Sequence, residues 1–438
     1  MISSARSNKF YPVSGLSVSG KIKIFIVKIL FSLVHLFVNR KWSNPRHNFE
    51  ENPIHFKFKD ILYLGYKYYW RPHETGMERF KSNRFKNVQL IKSNTSICMH
   101  AGGDLMPYEM LLNGKAEEIW GLAGDDFFNA DIVMANLECP MDYNQDKGFV
   151  PEVMLNDMLF NGSEELMNVF TASNKYKFDV LTLANNHMLD AGFEGLANTM
   201  SQLDKMGIRH TGARRDEKED NFLIIKENNI SIGLVNFTYS LNRVEIEKGK
   251  EKLVNYLEIN DPEVDLSTLI QLADAAKNAG AEVLIAYLHM GNAYQCYPSE
   301  HIQKQVHKLV RLCCFDVVFI SHPHNLQPGE IIPFSCKYSG KQKNSIVYYS
   351  LGDFVAYDIF NWSHLTGYAK LTIQKNKDEI LISPSFEFLY LQRDLNGKLK
   401  FIPWKTALEK SIYQDEKFNF LLEWYNKHAQ YFFSDATI

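Results

Sequence analysis

The sequence predicts a layered α/β fold, and three features of the chain indicate it. From about residue 95 onward, short apolar runs rich in β-branched and aromatic residues alternate with segments of helical periodicity. Five of these runs end in a carboxylate, amide or imidazole side chain. Sites in layered α/β proteins lie beyond the carboxyl ends of the strands, so five polar ends together predict one functional site.

The five predicted strands are bounded by glycine, asparagine or proline. They are SICMHAGGD, ADIVMANLE, FDVLTLANNH, AEVLIAYLHMG and DVVFISHPH, at residues 96–104, 130–138, 178–187, 281–291 and 316–324. A further pattern, FLIIKENNISIGLVNF, has a polar break at Glu227–Asn229 between two apolar runs and predicts a hairpin.

Three segments with helical periodicity lie between these strands, at Glu194–Gly207, Asp261–Gly280 and Ser299–Cys314. The second has Asp261 as its predicted N-cap and Pro262 as its first helical residue. Alternating strands and helices of this kind are typical of a layered sandwich.

The composition excludes some classes of protein. The chain has 438 residues, 45% of them hydrophobic, which is enough for a sizeable core. Its formal net charge of −3 predicts no general attraction to nucleic acid. The six cysteines are scattered without CxxC spacing, which indicates a reducing compartment and no zinc–thiolate site. We therefore expect a cytoplasmic protein.

One apolar stretch near the N-terminus, Lys21 to Val38, leaves two alternatives open. Lys23 and Lys28 interrupt it, and its longest uncharged part is far shorter than the roughly 20 residues of a spanning helix. It predicts either an amphipathic helix that contacts a membrane surface, making the protein membrane-associated, or a helix packed on the main domain.

The pattern divides the chain into three regions. Residues 1–94 form a basic and aromatic N-terminal region with the possible amphipathic helix. Residues 95–360 form the main α/β domain, and residues 361–438 are expected to supply C-terminal strands and a helix that pack on it.

Seven side chains near the strand ends form a candidate metal site. They are Asp104, Glu138, Asn186, His187, His289, His322 and His324. Oxygen and imidazole ligands without a thiolate suit Mn²⁺, Fe or Zn²⁺, and a pair of ions needs a bridging carboxylate. The alternative is that each residue is an ordinary turn or core residue.

Several motifs occur in the same order as in a known protein family. These are GGDLMPYE, ANLECPM, LANNHMLDAGFEGLANTMSQLDKMGIRHTGA, YLHMGNAYQCYPSEHIQKQVHKLV, DVVFISHPHNLQPGEII and YYSLGDFV. From about residue 95 to about 357 the chain resembles the CapA family of capsule and poly-γ-glutamate biosynthesis proteins. The resemblance implies a metallophosphatase-like fold of two mixed β-sheets flanked by helices. It also implies a surface polymer or its precursor, and other capsule-synthesis proteins, as partners.

The resemblance implies six metal ligands shared between two divalent ions. Asp104 and His324 would bind the first ion, Asn186, His289 and His322 the second, and Glu138 would bridge both.

The same resemblance implies a catalytic imidazole, His187, that donates to the leaving group or stabilises the phosphoryl oxygens. Asp190 would either orient that ring or cap the next helix, and the cap is slightly favoured. Glu330 and Tyr294 are the implied substrate contacts, although Glu330 also fits an ordinary loop carboxylate.

Four residues differ from those usual at the same positions, one by comparison with metallophosphatases at large and three by comparison with the CapA family. Metallophosphatases at large have a histidine two residues after the first aspartate, where this chain and CapA-like proteins lack it; here the residue is Met106. Met290 and Ala293 stand where the family tends to have an aromatic residue and a glutamate, and Asp353 stands where asparagine is usual. We therefore expect a weakly held first ion and altered substrate contacts.

Two functions remain open. The first is a metal-dependent hydrolase or transferase of surface-polymer biosynthesis that activates water or a hydroxyl group at a dinuclear site. The second is a non-catalytic polymer-binding or scaffold subunit on the same fold. Several imidazoles at buried strand ends cost desolvation, which favours the enzyme, whereas Met106 favours the scaffold.

Overall fold

The computed structural model describes residues 16–38, 42, 52–69, 93, 95–155, 158–377, 379–394, 396–409 and 422. Its α-helices are α1 (Val18–Val38), α2 (Phe58–Tyr69), α3 (Gly124–Phe127), α4 (Glu164–Thr171), α5 (Gly192–Lys205), α6 (Ser267–Asn278), α7 (Glu300–Cys313) and α8 (Trp404–Glu409). Its strands are β1 (Thr95–Leu105), β2 (Ile132–Leu137), β3 (Val180–Thr182), β4 (Arg209–Thr211), β5 (Phe222–Glu227), β6 (Ile230–Thr238), β7 (Val283–His289), β8 (Val317–Ser321), β9 (Leu326–Ser335), β10 (Gln342–Leu351), β11 (Asp353–Val355), β12 (Leu365–Asn376), β13 (Glu379–Arg393) and β14 (Leu399–Pro403).

Two mixed β-sheets form the centre of the fold. The first has the order β14-β13-β12-β1-β2-β3-β4, with β11 paired to β1, and the second has the order β5-β6-β7-β8-β10-β9. The strands β1-β2-β3-β4 and β6-β7-β8-β10 run parallel, and antiparallel strands extend both groups. Helices cover the outer faces, so the predicted layered sandwich of two mixed sheets flanked by helices is confirmed.

Alternation along the strands explains the layers. On β2, Ile132 and Met134 face the second sheet and join the core between the sheets. Val133 and Ala135 point the other way and pack in the core that includes Leu196 of α5. Successive side chains of a strand point to opposite faces, so a strand between two cores is apolar on both faces. This accounts for the unbroken apolar runs of the sequence.

Most predicted elements are confirmed. The five strand patterns are β1, β2, β3, β7 and β8, and the hairpin is β5–β6. Asn228 and Asn229 form its turn with φ of 43° and 59°, the left-handed conformation that a two-residue type I′ turn requires. The helices predicted at Glu194–Gly207 and Ser299–Cys314 are α5 and α7.

The predicted start of the second helix is wrong. Helix α6 begins at Ser267, not at Pro262, because Asp261 uses its side chain in a local turn instead of a helix cap. Its Oδ1 atom accepts a hydrogen bond from the backbone N–H of Glu263 at 2.9 Å. Asp265 bonds the N–H of Ser267 at 3.0 Å in the same way. Aspartate favours such turns as strongly as it favours N-caps, so the sequence alone did not separate them.

Helix α1 has a buried face and an exposed face. Ile24, Val27 and Phe31 pack in a small core with Tyr66 and Tyr69 of α2. The opposite face carries large apolar side chains that are exposed. Within the described residues, no helix is long and apolar enough to cross a membrane.

The C-terminal region contributes β12, β13 and β14 to the first sheet, with β12 antiparallel to β1. The same region contains helix α8, which lies against β13 and β14, whereas residues 410–421 and 423–438 lie outside the described residues.

A glycine allows the close approach that positions Asp104. Gly103 lies beside the turn before β11, where an added Cβ would be 1.9 Å from the carbonyl oxygen of Gly352. The same oxygen accepts a hydrogen bond from the N–H of Asp104 at 3.0 Å.

We expect Gly103→Ala to lower the free energy of unfolding by about 1–3 kcal/mol, because the methyl group separates β1 from this turn. Denaturant unfolding measures this, and an unchanged midpoint would contradict the packing described.

Candidate metal centre

The carboxyl ends of the parallel strands meet at one edge of the sandwich. In the first sheet Asp104 pairs in register with Asn136 of β2, and Glu138 follows β2 directly. In the second sheet His289 ends β7 in register with Ser321, the last residue of β8. Polar side chains from separate strand ends are thereby brought into one cleft between the sheets.

Two buried carboxylates form the centre of the cleft. The amide nitrogen of Asn136 donates to Oδ1 of Asp104 at 2.7 Å, and the backbone N–H of His322 donates to Oδ2 at 3.2 Å. Both oxygens of Glu138 are buried and accept no hydrogen bond from the described residues, although His289 Nε2 lies 3.5 Å from Oε1. A buried carboxylate without donors is costly, so Glu138 fits the neighbourhood of a cation.

His289 is held on both sides of its ring. Nε2 lies 2.8 Å from Oδ1 of Asn186, and Nδ1 lies 2.9 Å from Oγ of Ser321. The amide nitrogen of Asn186 donates to Oδ1 of Asn242 at 3.0 Å, which directs the amide oxygen toward His289. Asn186 and His289 therefore present an oxygen and an imidazole at the same place.

His322 and His324 belong to the predicted strand 316–324, but in the structure they lie in the turn that follows the strand. Strand β8 ends at Ser321, and the two histidines have φ of 97° and 59° on either side of Pro323. Left-handed conformations are rare for residues other than glycine, and such strain concentrates at functional sites. The turn brings the two ring centroids to 5.7 Å from each other, and His322 lies 5.1 Å from His289.

Asp353 orients His324. Oδ1 of Asp353 lies 2.8 Å from Nδ1 of His324, and the ring of Tyr294 stacks on the same imidazole at 5.2 Å. A carboxylate bonded to one ring nitrogen fixes the tautomer and leaves the other nitrogen for a metal ion. Asp353, which departs from the family pattern, thus positions a candidate ligand.

The candidate ligands form two groups that share one residue. Glu138, His289 and His322 each offer an atom within 4.8 Å of the others, and so do Asp104, Glu138 and His324. Asn186 adjoins the first group through His289. The donor set is oxygen and imidazole only, which fits Mn²⁺, Fe or Zn²⁺.

Burial and crowding of like charges govern the protonation of these groups. Burial, together with the charge of Glu138, raises the pKa of Asp104 to about 8. Burial also raises the pKa of Glu138 and lowers the pKa of His289 to about 3. Burial disfavours protonated His324, but the charges of Asp353, Glu138 and Asp104 outweigh it and raise its pKa to about 10. A divalent cation would relieve the crowding of carboxylates and displace protons from the site.

His187 forms a pair with Asp190 at the side of the cluster. Nδ1 of His187 lies 2.7 Å from Oδ2 of Asp190, and the ring stacks on Phe160 with centroids 3.9 Å apart. Burial disfavours the protonated ring, but the charge of Asp190 outweighs it, so the pKa of His187 is raised. The pair leaves Nε2 as the atom that can reach a substrate.

The interpretation of Asp190 as a helix cap is wrong. Helix α5 has Ala191 at its N-cap position and no side-chain cap hydrogen bond. Asp190 instead accepts a hydrogen bond from the backbone N–H of Phe160 at 2.7 Å, besides its contact with His187. Asp190 therefore fixes the ring and the loop against which the ring stacks.

A cavity of about 370 Å³ opens over the candidate ligands. Asn186, His187, His322, His324 and Tyr294 are among its lining residues, so the predicted substrate contact Tyr294 lies in the cleft. Met106, which stands where metallophosphatases at large have a histidine, lines the cavity too and offers no nitrogen ligand.

The structure does not support the predicted substrate contact at Glu330. Its side chain is buried on β9, where Oε2 accepts from the hydroxyl of Tyr349 at 2.7 Å and lies 3.1 Å from Nε2 of His307. Glu330 is not among the residues that line the cavity. Its contacts join β9, β10 and α7.

Sequence reasoning missed several residues of the cleft. The ring of Tyr239 lies 4.5 Å from that of His322, and Asn242 holds Asn186. Both follow β6, the second strand of the predicted hairpin, whose carboxyl end reaches the same edge as β7 and β8. The sequence pattern predicts the hairpin but does not show that β6 also pairs in parallel with β7. The end of β6 could therefore not be assigned to the same edge as the ends of β7 and β8.

The fold and the site together define an α/β sandwich protein with a buried carboxylate and imidazole cluster at the carboxyl ends of its parallel strands. Residues 98–358 match the family described as bacterial capsule synthesis protein PGA_cap, and the chain belongs to this family. The predicted CapA resemblance, placed at about 95–357, is confirmed.

Two curated relatives are similar over part of the chain. "Capsule biosynthesis protein CapA" of Bacillus anthracis is 25% identical over 274 residues, which cover 60% of this chain and 61% of that protein. "PGA biosynthesis protein CapA" of Bacillus subtilis strain 168 is 26% identical over 243 residues, covering 55% and 57%. The matched part therefore spans about three fifths of the length of these relatives.

Solved structures show a weaker likeness. The calcineurin-like phosphoesterase YfkN from Bacillus subtilis is 15% identical, with 76% of this chain and 99% of that chain covered and a TM-score of 0.39. A hypothetical protein from Thermus thermophilus is 13% identical, with 66% and 98% covered and a TM-score of 0.36. Both scores are too low to assign a shared fold.

Proposed function

We propose that this protein is a metal-dependent hydrolase, or a transferase with the same site, in capsule or surface-polymer biosynthesis of the poly-γ-glutamate type. One observation carries the proposal. Glu138 is common to two groups of candidate ligands, one with His289 and His322 and one with Asp104 and His324. A carboxylate shared in this way is what a pair of divalent ions requires.

The residues of the cleft fit two ions of unequal affinity. Asp104, Glu138 and His324 would hold the first, and Glu138, Asn186, His289 and His322 would hold the second. Because Met106 supplies no nitrogen at the first position, a first ion would have fewer ligands and would bind more weakly. Such ions lower the pKa of a bound water or hydroxyl and neutralise phosphoryl oxygens.

The chain's own side chains supply the rest of the chemistry. Asp190 raises the pKa of His187 against the effect of burial and so favours the protonated ring, and Nε2 would donate that proton to the leaving oxygen. Asn242 lies 3.4 Å from the same ring and holds Asn186 at 3.0 Å, so it joins the proton donor to the ligands. Apolar side chains, among them Leu64 and Met158, also line the cavity.

Metal analysis combined with a substrate panel tests this function. We expect the purified chain to bind up to about two divalent ions. We also expect it to hydrolyse 4-nitrophenyl phosphate or bis(4-nitrophenyl) phosphate in a way that a chelator abolishes and Mn²⁺, Fe²⁺ or Zn²⁺ restores. Protein that binds no ion and turns over neither ester would contradict the proposal.

A scaffold on the same fold is the second candidate, and Met106 favours it. This apolar side chain, 3% exposed, borders the cavity beside the first ion position. A polymer-binding subunit would bind poly-γ-glutamate without turning over any ester, and its binding would survive removal of the metal.

A further inference from the structure

The lining of the cavity contains both polar and apolar side chains. His187, His322 and His324 are among the polar residues. Leu64, Met158 and Leu159 are among the apolar residues, which together we call the apolar wall. A ligand that fills this space presents one polar group to the histidines and an apolar part to the wall, since burial of apolar area contributes most of the affinity in such pockets.

The segments that contribute Leu64 and Leu159 to the cavity also carry exposed apolar side chains, and helix α1 packs against α2 and Met154 beside them. Among the described residues, every exposed large hydrophobic side chain other than Leu122 and Leu312 lies in α1, in residues 54–61, or at Leu155 and Leu159. We call these residues the mouth face. A concentration of this kind marks an interaction site, whereas scattered exposed leucines are ordinary.

Helix α1 forms the larger part of the mouth face. Its exposed apolar residues are Val18, Ile22, Phe25, Ile26, Ile29, Leu30, Leu33, Leu36 and Phe37. At 3.6 residues per turn they fall on one continuous arc, opposite the buried Ile24, Val27 and Phe31. Lys21 and Lys28 lie at one edge of this arc and Lys23 at the other. Lysines at the edges of an apolar arc are typical of a helix that lies in a lipid interface.

Lysines supply the exposed charge of helix α1 and of residues 54–61. Residues 54–61 expose Lys57 and Lys59 beside Phe58, and the only acidic residue of that segment, Asp60, is buried. Helix α1 contains three lysines and no acidic residue. The whole chain has a formal net charge of −3. Glu152, which accepts from the backbone N–H and the hydroxyl of Ser17, is an acidic neighbour at the start of α1. Positive charge beside exposed apolar side chains complements an anionic lipid surface.

We propose that the mouth face docks on an anionic lipid bilayer and that the cavity receives from it an amphiphilic phosphoester, with the ester at the histidines and the apolar chain along the wall. The binding of the phosphoester at the histidines rests on the proposed function. Leu159 belongs both to the cavity wall and to the mouth face, and Leu64 of the wall lies one turn from Ile61 of that face. The apolar wall is thus continuous with the docking surface.

Vesicle flotation tests the docking surface. We expect the full chain to float with vesicles of phosphatidylcholine and phosphatidylglycerol and much less with phosphatidylcholine alone. Phe25→Glu combined with Leu33→Glu should abolish flotation, and each of Lys57→Gln and Lys59→Gln should reduce binding about fivefold. Leu122→Glu is the matched control, because Leu122 is 53% exposed and Leu33 is 55% exposed, and this variant should float like the wild type.

Short alkyl phosphates test the cavity in the metal-loaded protein. We expect hexyl phosphate to bind up to about 100-fold more tightly than ethyl phosphate, because four further methylene groups leave water. Leu64→Glu or Met158→Glu should remove this preference while the affinity for ethyl phosphate stays. Equal affinity for the two phosphates would overturn the substrate class.

The two experiments separate the possible failures. Absence of any phosphate binding, with flotation intact, would count against the proposed function and leave the docking surface standing. Wild-type protein that does not float, or a Phe25 and Leu33 variant that floats unchanged, would overturn the docking surface. A dimer that this variant abolishes would place a second copy on the mouth face and overturn the lipid interpretation.

Discussion

Replacing Glu138 with glutamine is expected to abolish metal-dependent stabilisation while leaving the chelator-treated protein at least as stable as the wild type. Without metal, the Glu138 carboxylate is buried beside Asp104, and burial of its charge costs more free energy than the neighbouring imidazoles return, so its pKa is raised. With metal, Glu138 is common to both groups of ligands, and its loss weakens both. A ligand present at 1,000 times its Kd stabilises the folded state by about 4 kcal/mol, and the variant should lose most of this.

The measurement is thermal unfolding of both proteins with chelator and with Zn²⁺ or Mn²⁺, together with metal content. Glu330→Gln is a matched control, because Glu330 is also a buried carboxylate but bonds Tyr349 at 2.7 Å and does not line the cavity. We expect Glu330→Gln to destabilise the protein equally with and without metal. If Glu138→Gln behaved in this way too, Glu138 would be a packing residue and the bridging assignment would be wrong.

The strand ends were predictable because they depend on short-range pattern. Apolar runs of five to ten residues closed by Asp104, Glu138 or His289 can be read directly, and parallel strands place their ends at one edge. Which strands become neighbours depends on packing across the chain. The partners Tyr239 and Asn242 were therefore missed, although their strand was predicted as part of a hairpin.

Prediction from the sequence was also limited for residues that fit two structural roles. Asp190 and Asp261 both precede helical patterns, and a cap fits each. The structure uses Asp190 to hold His187 and Asp261 to close a turn, because a nearby N–H or ring offers each carboxylate a better partner than the helix. Glu330 was predicted to contact the substrate because the sequence does not show that Tyr349 and His307 lie beside it. The local sequence is compatible with several roles for such residues, and their neighbours in the folded structure determine which role each one has.

Replacing His187 with alanine is expected to leave metal content nearly unchanged and to lower turnover by about 10²–10⁴-fold. Its Nδ1 is engaged by Asp190 at 2.7 Å and it belongs to neither group of candidate ligands, so its loss removes a proton donor but no ligand. His322→Ala should instead lower metal content and turnover together, because His322 belongs to the group with Glu138 and His289. Steady-state kinetics and metal analysis of the same preparations measure both quantities.

His210 provides the matched control for this last prediction. It also pairs with an aspartate, Nε2 lying 3.2 Å from Asp204, and its side chain is 12% exposed compared with 15% for His187, but it is absent from the lining of the cavity. His210→Ala should therefore leave turnover unchanged, which separates loss of the catalytic proton from loss of any half-buried histidine. If His187→Ala and His322→Ala removed metal equally, His187 would be a ligand and the general-acid assignment would be wrong. A scaffold would have no turnover to lose, and its polymer binding would survive His187→Ala.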